Sequence, residues 1–317
     1  MLNKLKIKLF NFGSRNKILK NLYKKMMWGD RIHINFTPTF VCNFNCPYCI
    51  VNQVQYYKKY KKEHGGKEWL NVFDKYFDKP LLISMSSAGE PFLWKGMKEF
   101  LLNISNLHYV QLSSNMSWDI DEFIDALKSC RANFTLKGSY HPYGIDIDIF
   151  IEKLKRLQNE GLKIMAGIVA YPPKLSEIPE IVERFKREKI PFGVESYINP
   201  NSKYTKEQNE IIRKYIKNRP PDIMEFDQNP SLKTCKAGQF YIFLISNGDV
   251  YTCAAGFYYV TSPLHKKFRA KKEEFYMGNV FDGTFKVKEK DIICKYPCSE
   301  YCDLEHAQVK FSNKVIS

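Results

Sequence analysis

Three cysteines fall within eight residues, in the run Cys42-Asn43-Phe44-Asn45-Cys46-Pro47-Tyr48-Cys49. Thiolates separated by three and then two residues can wrap one corner of a cube-shaped iron–sulfur cluster, supplying three ligands and leaving the fourth iron open. An iron held by four cysteines carries electrons; an iron with an open position can also bind a substrate or cofactor. A structural zinc site is the alternative. Zinc usually takes two Cys-x2-Cys pairs, and no second pair lies nearby. Five further cysteines, Cys235, Cys253, Cys294, Cys298 and Cys302, gather near the C-terminal end. That is more than the four a fully ligated cluster needs, and a zinc-binding tail is again the alternative. Cys130 stands apart, at the end of a predicted helix, and reads as a buried thiol.

The elements that must position these thiols follow a regular pattern. Strands are expected at 32–36, 81–85, 109–112, 133–139, 163–170 and 192–195, with helices at 67–77, 94–105, 120–129, 146–159 and 176–188 between them. Each crossover is long enough for a helix, so the strands are parallel. Right-handed crossovers curl such a sheet into a barrel or part-barrel, with its chemistry at the carboxyl ends of the strands. The cysteine triple follows the first strand and so lies on that face. A connector then carries one helix to about 217, with Thr205 as its N-cap. Beyond it, two strands flank the Asn247-Gly248 turn, a strong hairpin signal, which brings Cys235 and Cys253 to the same end. Residues 1–30 form a basic extension with Ile18, Leu19, Leu22, Met26 and Met27 at helical spacing, suited to capping the barrel or, as the alternative, to lying on a membrane surface.

Composition sets the outer bounds. The chain has 317 residues, 44% hydrophobic and 26% charged, enough for a large domain and a smaller one. No run of about 18 apolar residues predicts a membrane-spanning helix, and no secretory signal is evident. Nine cysteines in a non-secreted chain indicate metal or redox chemistry rather than disulfides, so a cytoplasmic, oxygen-sensitive protein is expected. The net charge of +15 is partly local: residues 1–32 hold nine Lys and Arg against Asp30 alone, and a second basic run spans 265–272. Such patches attract nucleic acid, anionic lipid or phosphorylated substrates, or are simply solvated surface. No nucleic-acid motif accompanies them, and no nucleic-acid partner is expected.

The Cys-x3-Cys-x2-Cys spacing, with Tyr48 just before the third cysteine, resembles the radical S-adenosylmethionine (radical SAM) superfamily. The resemblance covers roughly residues 31–310 and implies a partial (β/α)6 barrel of α/β class. It also implies a [4Fe–4S] cluster on Cys42, Cys46 and Cys49 whose open iron is chelated by SAM. One electron then cleaves SAM to methionine and a 5′-deoxyadenosyl radical, which abstracts hydrogen from the substrate. Ser86-Ser87-Ala88-Gly89-Glu90-Pro91 resembles the family's Gly-Gly-Glu-Pro element, with Ala88 in the place of the first glycine; it implies that Ser87, Ala88, Gly89 and Glu90 hold the SAM methionine group. At the tips of the third and fourth strands, Asn115 and Ser139 are candidates for the ribose and carboxylate. Lys137 and His141 are candidates to face the substrate, with Tyr171 and Glu195 behind them.

The second cysteine set resembles the SPASM/twitch extension of that superfamily, through Cys235-x2-Gly238 and the Gly248-to-Cys253 spacing. Its five cysteines imply one auxiliary [4Fe–4S] cluster, on Cys235, Cys253, Cys298 and Cys302 with Cys294 as a fifth candidate. The implied organisation is a basic extension (1–30), a partial barrel (31–200), a helical connector (201–228) and a small cysteine-rich auxiliary domain with a β-hairpin (229–317). A flavodoxin or ferredoxin would supply electrons. The expected substrate is a small polar metabolite such as a sugar or aminocyclitol; the alternatives are a ribosomal peptide undergoing maturation and a non-catalytic iron–sulfur or zinc protein.

Overall fold

The computed structural model describes residues 31–49, 60, 62–86, 88–197, 204–216, 231–262, 269–296 and 310–315. The helix expected in the basic extension, together with Ser87, Cys298 and Cys302, lies outside them.

Six parallel strands alternate with helices in chain order. They are β1 (Ile32–Thr37), β2 (Leu81–Met85), β3 (Tyr109–Ser114), β4 (Phe134–Tyr140), β5 (Ile164–Ala170) and β6 (Phe192–Ser196). The intervening helices are α1 (Gly66–Tyr76), α2 (Met97–Asn103), α3 (Ile120–Cys130), α4 (Ile147–Asn159) and α5 (Ile178–Arg187). Every neighbouring pair from β1 to β6 is parallel. Helices pack their apolar stripes on the outer face. Phe150, Leu154 and Leu157 of α4, and Ile181, Val182 and Phe185 of α5, are buried there. Alternation on β4 sends Phe134, Leu136 and Tyr140 under these helices and leaves Thr135, Lys137 and Ser139 on the inner face.

The inner face of the early strands is polar. Asn35 on β1 donates to the Tyr241 hydroxyl at 3.0 Å, and Ser84 on β2 to Gln111 Oε1 at 3.4 Å. An α6 helix (Lys206–Arg213) follows β6. Its capping box has the Gln208 amide donating to Thr205 Oγ1 at 3.3 Å and the Thr205 amide to Gln208 Oε1 at 2.9 Å.

The predicted hairpin is present as β8 (Tyr241–Ile245) and β9 (Asp249–Tyr251), turning at Gly248, whose φ is +90°. It does not stand as a separate sheet. β8 pairs in parallel with β1, His33 opposite Tyr241, so the order runs β10-β9-β8-β1-β2-β3-β4-β5-β6, with β10 (Tyr276–Asn279) at the edge. Helix α7 (Ala254–Thr261) follows β9, and Phe243, Tyr251, Phe257 and Tyr258 form a second core beside it. A short α8 (Lys272–Phe275) leads into β10. A separate three-stranded sheet joins β7 (Ser231–Cys235) to β11 (Ile292–Cys294) and β12 (Lys310–Val315).

Candidate active site

The cysteine loop is held from below by the turn that follows β2. Glu90 N–H donates to Val41 O at 2.8 Å, and Val41 N–H to Thr39 Oγ1 at 2.9 Å. Gly89 sits at φ +67°, and a Cβ there would press into Thr39 O and lie 3.0 Å from Val41 O. Only glycine fits so close a backbone approach in the left-handed region. The Gly-Glu-Pro segment is therefore stitched to the start of the cysteine loop.

Above that junction, Cys42, Cys46 and Cys49 line one cavity of about 290 Å3 at the carboxyl ends of the strands. Ala88, Gly89 and Glu90 line it from the β2 turn, Asn115 from the end of β3, and Ser139 and His141 from β4 and the loop after it. Tyr48 closes the side next to His141. Lys137 meets the same region indirectly, through an ion pair with Glu195, which does line the cavity. Reasoning from sequence missed Phe44, Met85, Ser114, Ser196 and Tyr197, which also line it. Each lies one or two residues from a singled-out position or at a strand tip, and strand-tip placement is the signal that would find them.

Glu90 is the most constrained charge in the cavity. It is 1% exposed and accepts hydrogen bonds from Ser114 Oγ (2.9 Å), Asn115 N–H (2.6 Å) and Phe92 N–H (3.2 Å). Burial pushes its carboxyl up to about 7 in spite of these donors. His141 moves the opposite way: burial pushes it down to about 4, so its ring is neutral near pH 7. Its Nδ1 lies 2.7 Å from the Tyr48 hydroxyl. Burial also raises the Tyr48 hydroxyl's proton affinity, so Tyr48 stays protonated beside the neutral ring. Burial, followed by the neighbouring Cys49, pushes the Cys46 thiol up to about 11, and burial also raises Cys42. Metal binding releases such protons.

Residues 36–185 match the radical SAM superfamily profile. This stretch is a radical SAM domain. No curated protein matches the chain. Among solved structures, Streptococcus suis SuiB is similar at 17% identity and TM-score 0.54, over 80% of this chain and 71% of that one. anSMEcpe with bound AdoMet is similar at 13% identity and TM-score 0.52, over 80% and 79%. anSMEcpe with AdoMet and the Kp18Cys peptide gives 14% and 0.53, over 81% and 80%. At these identities the likeness is one of fold.

A radical SAM enzyme works with a [4Fe–4S] cluster and SAM, and the residues present fit both. Cys42, Cys46 and Cys49 are free of disulfides and share one cavity wall. Among the described residues no three Cys, His, Asp or Glu side chains converge as the ligands of one ion do; a four-iron cube, being larger, takes wider-set thiols. Ala88, Gly89 and Glu90 line the same cavity beside them.

The second cysteine set lies elsewhere. Cys235 opposes Ile292 across the β7–β11 ladder, and Cys294 is two residues on, so the two cysteines share a face. Cys253 caps α7, its sulfur accepting Gly256 N–H at 3.2 Å. Cys235 and Cys253 are buried in the second core, and Cys294 packs against it. Cys130 is buried at the amino-end face of β4; burial pushes its thiol up to about 12, and it contacts Ala126 O and Leu127 O at 3.5 Å. Among the described residues no helix is long and apolar enough to cross a membrane.

Proposed function

We propose that Cys42, Cys46 and Cys49 hold the SAM-binding cluster, and that the enzyme oxidises or otherwise modifies a small polar metabolite such as a sugar or aminocyclitol. When bound, the cluster and SAM supply one-electron cleavage to a 5′-deoxyadenosyl radical that removes a hydrogen atom. The observation that carries the reading is the sharing of one cavity by three thiols, the Gly89–Glu90 turn and the tips of β3 and β4.

The chain's own residues divide the work. Glu90 has three donors on about four lone-pair sites, so it has room for one more, the SAM ammonium. The Gly89 and Ala88 backbone borders the same ligand, and Ser139 offers a hydroxyl to its ribose or carboxylate. His141, neutral, acts as a hydrogen-bonding group rather than a cation. On the far side, Glu195, Ser196 and the Lys137 ion pair present a charged, hydroxyl-rich wall. A polar substrate recovers there the hydrogen bonds it gave up in water.

The rings of Tyr48, Tyr143 and Tyr171 favour the second reading, a peptide substrate. Their centroids lie 5.0–6.3 Å apart, with Tyr48 lining the cavity, and aromatic side chains of a peptide could stack on them. Cys235, Cys253, Cys298 and Cys302, with Cys294 as the fifth candidate, hold the auxiliary cluster in either reading, and a flavodoxin or ferredoxin in the cytoplasm feeds electrons to the first.

The test is anaerobic reconstitution with SAM and a reductant. Wild type yields 5′-deoxyadenosine and methionine, and the Cys42→Ala/Cys46→Ala/Cys49→Ala variant yields neither. A cluster-loaded wild type that leaves SAM intact refutes the proposal. Deuterium transfer from candidate sugars or peptides into 5′-deoxyadenosine separates the two substrate readings.

A further inference from the structure

Asn115 stands where β3 leaves the sheet, and every polar atom of its side chain is committed. Oδ1 accepts Ser117 N–H at 2.9 Å. Nδ2 donates to Asn43 Oδ1 at 2.9 Å and to Cys42 Sγ at 3.7 Å, an ordinary separation for sulfur. A backbone N–H can face only the oxygen of an amide, so the Ser117 contact fixes which way the group points. Its two hydrogens then meet two acceptors, and one of them is a thiol of the triple.

The backbone around Asn115 is equally fixed. Asn115 N–H donates to Glu90 Oε2 at 2.6 Å. Met116, next in the chain, lies in the left-handed region at φ +61°, with its N–H on Ser114 Oγ at 3.0 Å. A non-glycine residue holds such a conformation only where its surroundings over-determine it. Asn115 is 4% exposed, so water does not compete for its amide. This arrangement turns the Asn115 amide to the cysteine loop at the edge of the same cavity.

We propose that Asn115 donates an N–H···S hydrogen bond to the Cys42 thiolate and thereby raises the reduction potential of the cluster bound there. A hydrogen bond to a ligating sulfur draws charge from it and favours the more negative, reduced state. The effect falls on one ligand of three, and it eases the electron delivery that must precede SAM cleavage. The inference rests on the reading of Cys42 as a cluster ligand.

The experiment is an EPR-monitored redox titration of the reconstituted full chain, following the cluster signal that shifts when SAM is added. Asn115→Leu removes the donor at similar volume, and Asn115→Ala removes it with a smaller side chain. At the potential where half of the wild-type cluster is reduced, the reduced-to-oxidised ratio is expected to fall about tenfold in both variants, equivalent to about 59 mV for one electron. A ratio within twofold of wild type in iron-replete variants overturns the inference. Should neither variant load iron, wild type labelled with 15N at asparagine side-chain amides decides: a nitrogen hyperfine coupling at the SAM-responsive cluster supports the hydrogen bond, and its absence overturns it. If the triple cysteine variant keeps that cluster signal, the reading of the triple fails and this inference with it. If the triple loses the signal while the Asn115 variants titrate as wild type, this inference alone fails.

Discussion

Lys137 on β4 reaches over Gly167 on β5 to pair with Glu195 on β6. A side chain at position 167 would collide with the Lys137 stem, because a Cβ there would press on Cε. The missing side chain on the middle strand lets a cation cross the inner face and neutralise the only carboxylate on that wall of the cavity among the described residues.

The pair is half open to solvent on the Glu195 side, so its worth to stability is small, about 1 kcal/mol or less. Its worth to substrate placement is larger. Lys137→Met and Glu195→Gln should each move the urea midpoint little while lowering product formation about a hundredfold, the scale of a misplaced reacting group. SAM cleavage without product should persist. Chromatography of 5′-deoxyadenosine beside product checks this, and equal loss of both contradicts it.

Glu90 predicts a pH dependence with a definite sign. Its folded value, about 7, lies above the ordinary carboxyl value of 4.5. A raised acid contributes stability that is fully present below about 4.5 and is lost as pH rises through about 7. For a group this buried, the loss is on the order of 3 kcal/mol. Urea midpoints measured without SAM should therefore fall between pH 4.5 and 7 in wild type, and Glu90→Gln should lack this slope. Added SAM, whose ammonium supplies the missing counter-charge, should flatten the wild-type curve. A slope shared by wild type and variant would assign the effect to another group.

The barrel was legible because its signals are local. The apolar stripes of α4 and α5 repeat at helical spacing, and the strands between them are short apolar runs bounded by turns. The cysteine triple and the Gly89–Glu90 turn were legible as spacing. Their stitching by Glu90 N–H to Val41 O was not, because it joins residues 49 apart in sequence across two strand tips. Helix α7 went unread for a physical reason: Ala254-Ala255-Gly256-Phe257-Tyr258-Tyr259 is buried on all sides, so it has no polar face to mark a helical period. The docking of β8 beside β1 was hidden for a similar reason. A strand buried in mid-sheet carries an apolar run but no indication of its neighbour.

His141 should contribute no titration to activity between pH 5 and 8, because burial pushes it down to about 4. Its predicted role is to hydrogen-bond the substrate as a neutral ring while paired with the Tyr48 hydroxyl. His141→Gln, which keeps a donor, should retain about tenfold more product formation than His141→Leu. A wild-type pH profile with a step near 6.5 that disappears in His141→Gln would show instead that the ring works as a base.

Two glycines separate packing from freedom. Gly66 opens α1 against the segment leading into α2; a Cβ there would press into Gly96 O and lie 2.7 Å from Phe100 N, both backbone. Backbone cannot swing aside as a side chain can, so Gly66→Ala should cost about 3 kcal/mol. Gly193 on β6 has its nearest neighbour, Met165 Cε, at 3.7 Å, and its φ is not in the left-handed region. Gly193→Ala should be neutral or stabilise by about 0.5 kcal/mol. Paired urea melts decide the matter, and similar midpoints for the two variants would contradict it.

The two cysteine sets should be separable by iron. With two four-iron clusters, reconstituted wild type should carry roughly eight irons per chain, and replacing Cys42, Cys46 and Cys49 together should remove about half. The second set is anchored differently, with Cys235 and Cys294 on one face of a ladder and Cys253 capping α7 beside the second core. Cys235→Ser with Cys253→Ser should therefore remove the other half and leave SAM cleavage in place, provided circular dichroism shows the variant folded, since ligation couples to folding. Product formation should fall, because the electron left after hydrogen abstraction loses its acceptor. A wild-type count near four, or stoichiometric zinc, would remove the second cluster from the account. A folded double variant that cannot cleave SAM would reverse the direction of electron flow, from the second cluster to the first.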